Sequence, residues 1–269
     1  MIPKTIHYCW FGGNPLGEKE KACIQSWERF LPDCEIKRWD ESNFDIQCCD
    51  YVFEAYEAKK WAFVSDFARF FILYQYGGLY FDTDVEIIRP IDDILSEGPF
   101  MGFERDYDAP QGPMAVNPGL GIGATTGLSV YETILKSYKS SHFRRSDGSV
   151  DETTVVRRVT DILAEMGLEE RPGIQHVAGL TIYPSEFFNP KDFLTGQIHI
   201  TENTKSIHHY EATWLSDAQK EILARKYTFL EKHSAMSPKV AAALARVGYG
   251  FRHGDFGPLI EGIKKNLSR

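Results

Sequence analysis

The chain has 269 residues, of which 43% are hydrophobic, 13% aromatic and 25% charged, a composition typical of a soluble globular protein and not of a disordered one. Its formal net charge of −8 excludes the broad basic surface of a dedicated nucleic-acid binder. The length is enough for one large domain, or for one domain with an appendage.

The cysteines and the apolar runs bear on the cellular setting. The five cysteines form no CxxC pair, so neither a cysteine zinc site nor a disulfide framework is indicated. The N-terminal segment lacks the apolar core of a signal peptide, and no apolar run reaches the roughly 20 residues that cross a bilayer. We therefore expect a cytoplasmic protein.

Strand and helix signals alternate along the first part of the chain. β-Branched and aromatic runs predict strands, and apolar residues at helical spacing predict helices. This order is typical of an α/β domain with a largely parallel sheet. The predicted elements are strands over 5–11, 34–39, 79–81 and 85–88 and helices over 18–30, 50–59 and 61–76.

The second part of the chain predicts strands over 99–103, 120–124 and 205–210 and helices over 128–139 and 151–165. From residue 216 the pattern is helical, with a break near Pro238. We therefore predict an α/β domain over 1–215 and a helical extension over 216–269 that packs on it.

The helix over 61–76 is almost entirely apolar, so it is expected to be buried on most sides. Its charged residues are Asp66 and Arg69, which lie three apart and therefore on one face. Such a pair is often a structural ion pair. Because buried charges are costly unless they are paired or used by a ligand, we favour a role in binding.

Two carboxylates, Asp82 and Asp84, follow the next apolar strand. In an extended segment, residues two apart project to the same side, so these acids are expected to converge. Hard divalent cations prefer such oxygen ligands, and a diphosphate is a natural partner for the bound cation. The alternative, solvated loop acids, is less consistent with the buried helix and strand that precede them.

Aromatic and histidine residues from the two ends of this region can complete a site. Trp10 ends the first strand, where an indole can stack on a nucleotide base, although a core position is the simpler interpretation. His208 and His209 are adjacent, so in a strand they face opposite sides, and either one can supply a nitrogen ligand.

The segments IPKTIHYCWFGG, SDFARFFILYQYGGLYFDTDV and IHHYEATW, which span about residues 2–214, resemble glycosyltransferase family 32. Members of this family carry a DXD sugar-binding region and include bacterial capsular polysaccharide enzymes and fungal mannosyltransferases. The resemblance implies a GT-A fold, a nucleotide-diphospho-sugar donor, Mn²⁺ or Mg²⁺, and retention of anomeric configuration.

The resemblance also implies roles for individual residues. Asp66, Arg69 and Asp82 are the expected catalytic residues. Asp82, Asp84 and His209 are the expected metal ligands, with His208 left open as the alternative to His209. Asn117 is added to the donor site from its position in the loop NPGLGIG. The expected donor-binding residues are Tyr8, Trp10, Phe11, Gly12, Asp66, Arg69, Tyr80, Asp82, Thr83, Asn117 and Trp214.

The predicted function is transfer of a hexose from a UDP- or GDP-sugar to a glycan or lipid-linked saccharide, in surface or capsular polysaccharide synthesis. The alternatives are a nucleotide-sugar hydrolase and a non-catalytic nucleotide- or glycan-binding protein on the same fold. The mildly basic, amphipathic C-terminus has two interpretations, peripheral contact with the inner face of a membrane and packing within the protein or on a second copy.

Overall fold

The structure is a computed structural model that describes residues 1–192, 194–211, 216–233 and 235–267, with side chains to residue 262 in the last of these ranges. The chain forms two compact units. The first comprises residues 1–191 and 199–209, and the second comprises residues 192–198 and 210–269. The domain boundary predicted at residue 215 stays a prediction.

Strands and helices alternate through the first unit, as the sequence predicts. A short 3₁₀ helix covers Pro118–Leu120. The strands are β1 (Thr5–Cys9), β2 (Glu35–Trp39), β3 (Gly78–Tyr80), β4 (Val85–Ile87), β5 (Phe100–Arg105), β6 (Ala115–Val116), β7 (Ile122–Ala124), β8 (Gln175–Val177), β9 (Leu180–Tyr183) and β10 (Ser206–His208). The helices are α1 (Glu18–Phe30), α2 (Asp50–Glu57), α3 (Trp61–Tyr76), α4 (Asp92–Ser96), α5 (Ser129–Lys139), α6 (Val155–Glu165) and α7 (Ser185–Phe188).

The main sheet is mixed, with the strand order β2-β1-β3-β7-β5-β9-β8 and with β6 paired to β5. The strands β1, β2, β3, β5 and β9 run in one direction, and β6, β7 and β8 run in the other. β4 and β10 form a separate antiparallel pair. The predicted α/β, GT-A-type class is confirmed by this mixed sheet, in which five of the eight strands run in one direction, and by its flanking helices.

Alternate side chains of the strands enter two hydrophobic clusters. Cys9, Tyr80 and Met101 join one cluster with α2, α3, α5 and α6. Tyr8, Leu79 and Phe100 join the other with α1, α4 and α7. This alternation is the period of two expected of strands that are buried on both faces. As a result, α3 lies on the same face of the sheet as Cys9 and Tyr80.

The turn between α3 and β3 requires glycine. Gly77 and Gly78 have φ values of 64° and 102°, which residues other than glycine rarely adopt. A Cβ atom on Gly78 would also lie 2.5 Å from the Thr5 carbonyl oxygen. His7 Nε2 donates a hydrogen bond of 3.1 Å to the Gly77 carbonyl oxygen, and Trp39 Nε1 donates one of 3.1 Å to His7 Nδ1. Both ring nitrogens of His7 are therefore used, and the ring is held neutral.

We expect His7 to stay neutral on acidification to about pH 4, because burial lowers its pKa to about 4 from the usual 6.5. The folded protein then binds fewer protons at this residue than the unfolded chain between those values. The contribution of His7 to stability is therefore lost as the pH falls through this window. An NMR titration of the imidazole signals tests this expectation, with His7→Gln to identify the signal. A His7 midpoint near 6.5 would contradict it.

The second unit contains α8 (Asp217–Lys232), α9 (Pro238–His253) and α10 (Gly257–Leu267). Ser216 and Gln219 form a capping box at the start of α8, and the Ser237 side chain caps α9 ahead of Pro238. Gly254 ends α9 in the left-handed conformation, a break that the sequence pattern did not indicate. Among the described residues, no helix combines the length and apolar character needed to cross a membrane.

Candidate active site

Arg69 lies at the centre of a buried group of charges at the carboxyl ends of β1 and β3. Its side chain is 4% exposed, and its Nη2 atom lies 2.9 Å from Asp66 Oδ1 and 3.2 Å from Asp82 Oδ1. The guanidinium also packs over the Tyr80 ring, with Cζ 4.9 Å from the ring centroid. Arg69 thus joins α3 to the residues that follow β3. These two ion pairs offset the free-energy cost of burying the Arg69 guanidinium.

Asp66 is the most strongly desolvated carboxyl of this group. Burial raises its pKa to about 7, the positive charge of Arg69 opposes that shift, and the negative charge of Asp82 adds to it. A carboxyl with such a pKa changes its charge near neutral pH, which is uncommon outside functional sites. The predicted pairing of Asp66 with Arg69 is present in the structure.

Asp82 and Asp84 lie on a turn and not on an extended strand. β3 ends at Tyr80, and the Val85 backbone N–H donates to the Asp82 carbonyl oxygen over 3.0 Å. The two acids are close together as expected, but the turn brings them together and strand alternation does not. The Tyr80 hydroxyl donates to Asp82 Oδ1 over 3.1 Å and fixes one side of that carboxylate.

His208 completes a three-residue cluster with these acids. Ligand atoms of Asp82, Asp84 and His208 all lie within 4.8 Å of one another. His208 Nε2 lies 3.1 Å from Asp84 Oδ1. Burial lowers the pKa of His208, but the carboxylates of Asp84, Asp82 and Glu104 outweigh it, so the pKa is raised above its usual value.

The structure places His209 outside this cluster. Its Nε2 atom lies 2.8 Å from Glu86 Oε2, and its backbone N–H donates to the Asp84 carbonyl oxygen over 2.9 Å. In the antiparallel pair of β10 with β4, His208 lies opposite Val85, beside the acidic turn. The structure thus brings the alternative, His208, to the two acids in place of the expected His209, because adjacent residues point to opposite sides. The assignment of the nitrogen ligand itself stays a prediction.

We expect His208→Ala to weaken Mn²⁺ binding by about 10- to 100-fold, because it removes one of the three ligand groups. His209→Ala keeps all three groups and should leave the affinity unchanged. Calorimetric titration of Mn²⁺ into both variants measures the difference. The opposite ranking would restore His209 as the ligand.

Asn117 and Gly119 form the wall beside Asp82. The Asn117 side chain is buried, accepts a hydrogen bond of 2.7 Å from the Gly119 N–H, and donates one of 2.8 Å to Glu104 Oε2. A Cβ atom on Gly119 would collide with Asp82 Oδ2 and lie 3.3 Å from Arg69 Nη1. Glycine at position 119 therefore lets the backbone approach the carboxylate and guanidinium together.

We expect Gly119→Ala to weaken the binding of Mn²⁺ and nucleotide by about 10- to 100-fold, because the added methyl group displaces the Asp82 carboxylate. Gly123→Ala is the matched control, since its Cβ atom would lie 2.5 Å from the Phe100 ring, a core contact. This control should lower the melting temperature and keep the Mn²⁺ affinity. Equal affinities in the two variants would remove Gly119 from the site.

Several of the predicted donor residues lie in the core or in loops. Tyr8 packs edge-on against Trp27 with ring centroids 5.9 Å apart, and Phe11 packs against Phe44 at 5.7 Å. The half-buried Trp10 directly follows β1, and its indole N–H donates to the Asn14 carbonyl oxygen over 2.7 Å.

Three further predicted residues lie in different surroundings. A Cβ atom on Gly12 would lie 2.6 Å from Trp61 Nε1, so this glycine allows close packing against the Trp61 indole. Thr83 is half-buried in the acidic turn. Trp214 lies outside the described residues. The donor-binding roles of all these residues stay predictions.

Cys9 and Glu104 belong to the site region, although the sequence did not single them out. Burial raises the pKa of the Cys9 thiol to about 12, and its neighbours include Arg69 and Tyr80. Glu104 accepts hydrogen bonds from Arg105 and Asn117. Strand alternation could have placed Cys9 on the same face of β1 as His7, because the two residues lie two apart. No sequence pattern marked Glu104.

The donor set of the three-residue cluster fits a divalent cation. Two carboxylates and one imidazole are ligands that Mn²⁺ accepts, and the carboxylates suit Mg²⁺. Arg69 lies 3.2 Å from Asp82, and Asn117 binds the backbone of Gly119, which lies beside the same carboxylate. The cluster, the cation Arg69 and the close backbone at Gly119 are therefore neighbours.

The family described as "Glycosyltransferase sugar-binding region containing DXD motif" matches residues 17–101. "Inositol phosphoceramide mannosyltransferase 3" of Schizosaccharomyces pombe is 36% identical over 102 residues, which cover 35% of this chain and 27% of that protein. "Inositol phosphoceramide mannosyltransferase 1" of the same organism is 34% identical over 124 residues, which cover 40% of this chain and 38% of that protein. The predicted resemblance to glycosyltransferase family 32 is confirmed, and these matches support a transferase.

Two solved structures are similar at low sequence identity. A glycosyltransferase involved in the glycosylation of the major capsid of PBCV-1 is 12% identical, with 81% of this chain and 97% of that chain covered and a TM-score of 0.47. The PaToxG glycosyltransferase is 19% identical, with 61% and 69% covered and a TM-score of 0.44. The chain spans well under half the length of the two yeast relatives.

Proposed function

From a chain whose residues 17–101 match a glycosyltransferase sugar-binding region, we propose a metal-dependent, retaining hexosyltransferase that uses a nucleotide-diphospho-sugar. The observation that carries the proposal is the convergence of Asp82, Asp84 and His208 beside the buried cation Arg69. A metal cluster next to a fixed guanidinium is suited to hold a diphosphate whose negative charge grows as it departs.

The metal ion proposed for the cluster is Mn²⁺ or Mg²⁺. When bound, it would neutralise part of the charge of the leaving diphosphate. Asp82 and Asp84 would supply carboxylate oxygens and His208 its imidazole nitrogen. The Tyr80 hydroxyl and the Arg69 guanidinium both bind Asp82, so they would fix the orientation of that ligand.

Arg69 and Asp66 are proposed to grip the sugar and ribose side of the donor. Arg69 can share its donors between the Asp66 carboxylate and phosphate oxygens, because a guanidinium presents five N–H groups. The buried amide of Asn117 is proposed to contact the sugar. Exclusion of water by the surrounding core would favour transfer over hydrolysis.

The names of the two yeast relatives favour mannose as the hexose, so GDP-mannose is the first donor to test. UDP-sugars remain in the panel, because the sequence leaves the base open. We propose a glycan or lipid-linked saccharide as acceptor, in surface or capsular polysaccharide synthesis, with the protein in the cytoplasm.

The test is incubation of the protein with Mn²⁺ and a panel of UDP- and GDP-sugars, with the release of sugar followed by NMR. We expect one donor to be cleaved slowly without an acceptor and faster with one, and the anomeric signal of the first product to show retention. Cleavage of no donor, together with no nucleotide binding, would refute the proposal.

Two alternative functions predict different outcomes in the same experiment. A nucleotide-sugar hydrolase would release sugar at a rate that no acceptor increases. A non-catalytic binding protein would bind nucleotide and release no sugar. The intact cluster of Asp82, Asp84 and His208 favours turnover over binding alone.

A further inference from the structure

Helix α9 presents an exposed apolar stripe, which we define as Val240, Leu244 and Phe251. These side chains are spaced by four and seven residues, so they share one helix face. They are 50%, 41% and 79% exposed. Ala241 and Ala245, on another face of the helix, are fully buried. Helix α9 therefore packs through these two small residues and leaves the three side chains of the stripe exposed.

Phe251 is exposed to a greater extent than its neighbour Phe256, which is 39% exposed. The Phe256 ring packs against Gly250, where a Cβ atom would lie 2.5 Å from the ring. The two phenylalanine rings meet edge-to-face, with centroids 5.5 Å apart. Phe251 is 79% exposed, so most of its ring faces solvent. The exposed ring of Phe251 is therefore available for contact with an apolar surface outside the chain.

The charge around the stripe is positive, although the whole chain is acidic. The sequence of α9 contains Lys239, Arg246 and Arg252 and no acidic residue. The second unit has ten Lys and Arg residues against seven Asp and Glu residues, whereas the rest of the chain has 20 against 31. Arg252 lies 3.8 Å from Glu221 but keeps 69% of its side chain exposed. The positive charge is therefore concentrated in the unit that carries the stripe.

We propose that the α9 stripe docks on an anionic membrane surface, with Phe251 and Leu244 entering the interface and Lys239 and Arg252 facing the lipid headgroups. Apolar side chains flanked by cations are the pattern by which helices lie in a bilayer interface. A second copy of the chain fits less well, because a symmetric contact would bring like cations together.

Membrane docking adds an anionic membrane as a partner of the proposed transferase. It rests on the proposed function only in that a lipid-linked acceptor would be found at that membrane. Vesicle binding requires neither donor nor metal. Failure of the membrane contact and failure of the transferase proposal are therefore distinguishable.

The test is flotation of the full chain with vesicles of phosphatidylcholine, with and without phosphatidylglycerol. We expect binding to the vesicles that contain phosphatidylglycerol and a loss of that binding as salt is added. Phe251→Ser should weaken it by about 10-fold, and the double variant with Leu244→Ser should weaken it further. Met166→Ser, which removes another side chain that is 38% exposed, is the matched control and should bind like the original protein.

Three outcomes would overturn the proposal. One is no binding to vesicles of either composition, and the second is equal binding to both. The third is a dimer that Phe251→Ser dissociates, with no vesicle binding, which would identify a second copy as the partner. Because Phe251 is mostly exposed, Phe251→Ser should keep the melting temperature and remain interpretable.

Discussion

Arg69→Met is expected to destabilise the metal-free protein by about 3–5 kcal/mol, because it leaves two carboxylates close together without their shared cation. Asp66 and Asp82 lie 2.9 and 3.2 Å from the same nitrogen of Arg69. Chemical denaturation in the presence of EDTA measures this loss. Arg157→Met is the matched control, since Arg157 pairs with Asp161 at 3.5 Å with 77% and 65% of the two side chains exposed. It should cost less than about 1 kcal/mol.

The destabilisation by Arg69→Met should grow as the pH rises. The folded pKa of Asp66 is already raised to about 7 by burial, and Arg69 is the main influence that opposes this rise. Without Arg69, the folded protein holds the Asp66 proton more tightly than the unfolded chain does. Its stability therefore falls as the pH rises through and beyond 7. A loss that is equal at pH 5.5 and pH 8.5 would contradict the position of Arg69 as the partner of Asp66.

Asp84→Asn is expected to reduce metal-dependent turnover by at least about 100-fold, because it removes a charged ligand from the proposed metal cluster. Its melting temperature in EDTA should stay close to that of the original protein. The Asp84 side chain is 15% exposed and lies beside His208, which an asparagine oxygen can still meet. Unfolding of the variant would show that Asp84 is structural.

Glu86→Gln is the control for Asp84→Asn on the same segment. Glu86 lies two residues farther on, pairs with His209 at 2.8 Å and is 43% exposed. We expect this variant to retain both turnover and Mn²⁺ affinity. A loss as large as that of Asp84→Asn would place Glu86 and His209 in the working site.

The sequence was most informative where one short segment determined the structure. Helix α3 covers Trp61–Tyr76, the predicted range, and Gly77–Gly78 fix its C-terminal end locally. The pairing of Asp66 with Arg69 followed from helical spacing alone. The proximity of Asp82 and Asp84 also needed no distant residue.

The remainder of the site depends on contacts between distant segments. Whether His208 or His209 meets the acids is decided by the register of β10 against β4, and a strand pattern alone does not fix that register. The need for glycine at 119 arises from its contact with Asp82, which lies in another part of the chain. The resemblance implied a donor role for Tyr8, which the structure buries against Trp27, and that role stays a prediction.

The most direct test of the central claim is calorimetric titration of the nucleotide-sugar panel into the protein, once with Mn²⁺ and once with EDTA. We expect at least one nucleotide-sugar to bind with Mn²⁺, EDTA to abolish its binding, and the Asp84→Asn variant to bind it no better than the original protein does in EDTA. Binding that is equally strong in EDTA, or no binding of any nucleotide-sugar with Mn²⁺, would contradict a metal-dependent donor site at Asp82, Asp84 and His208.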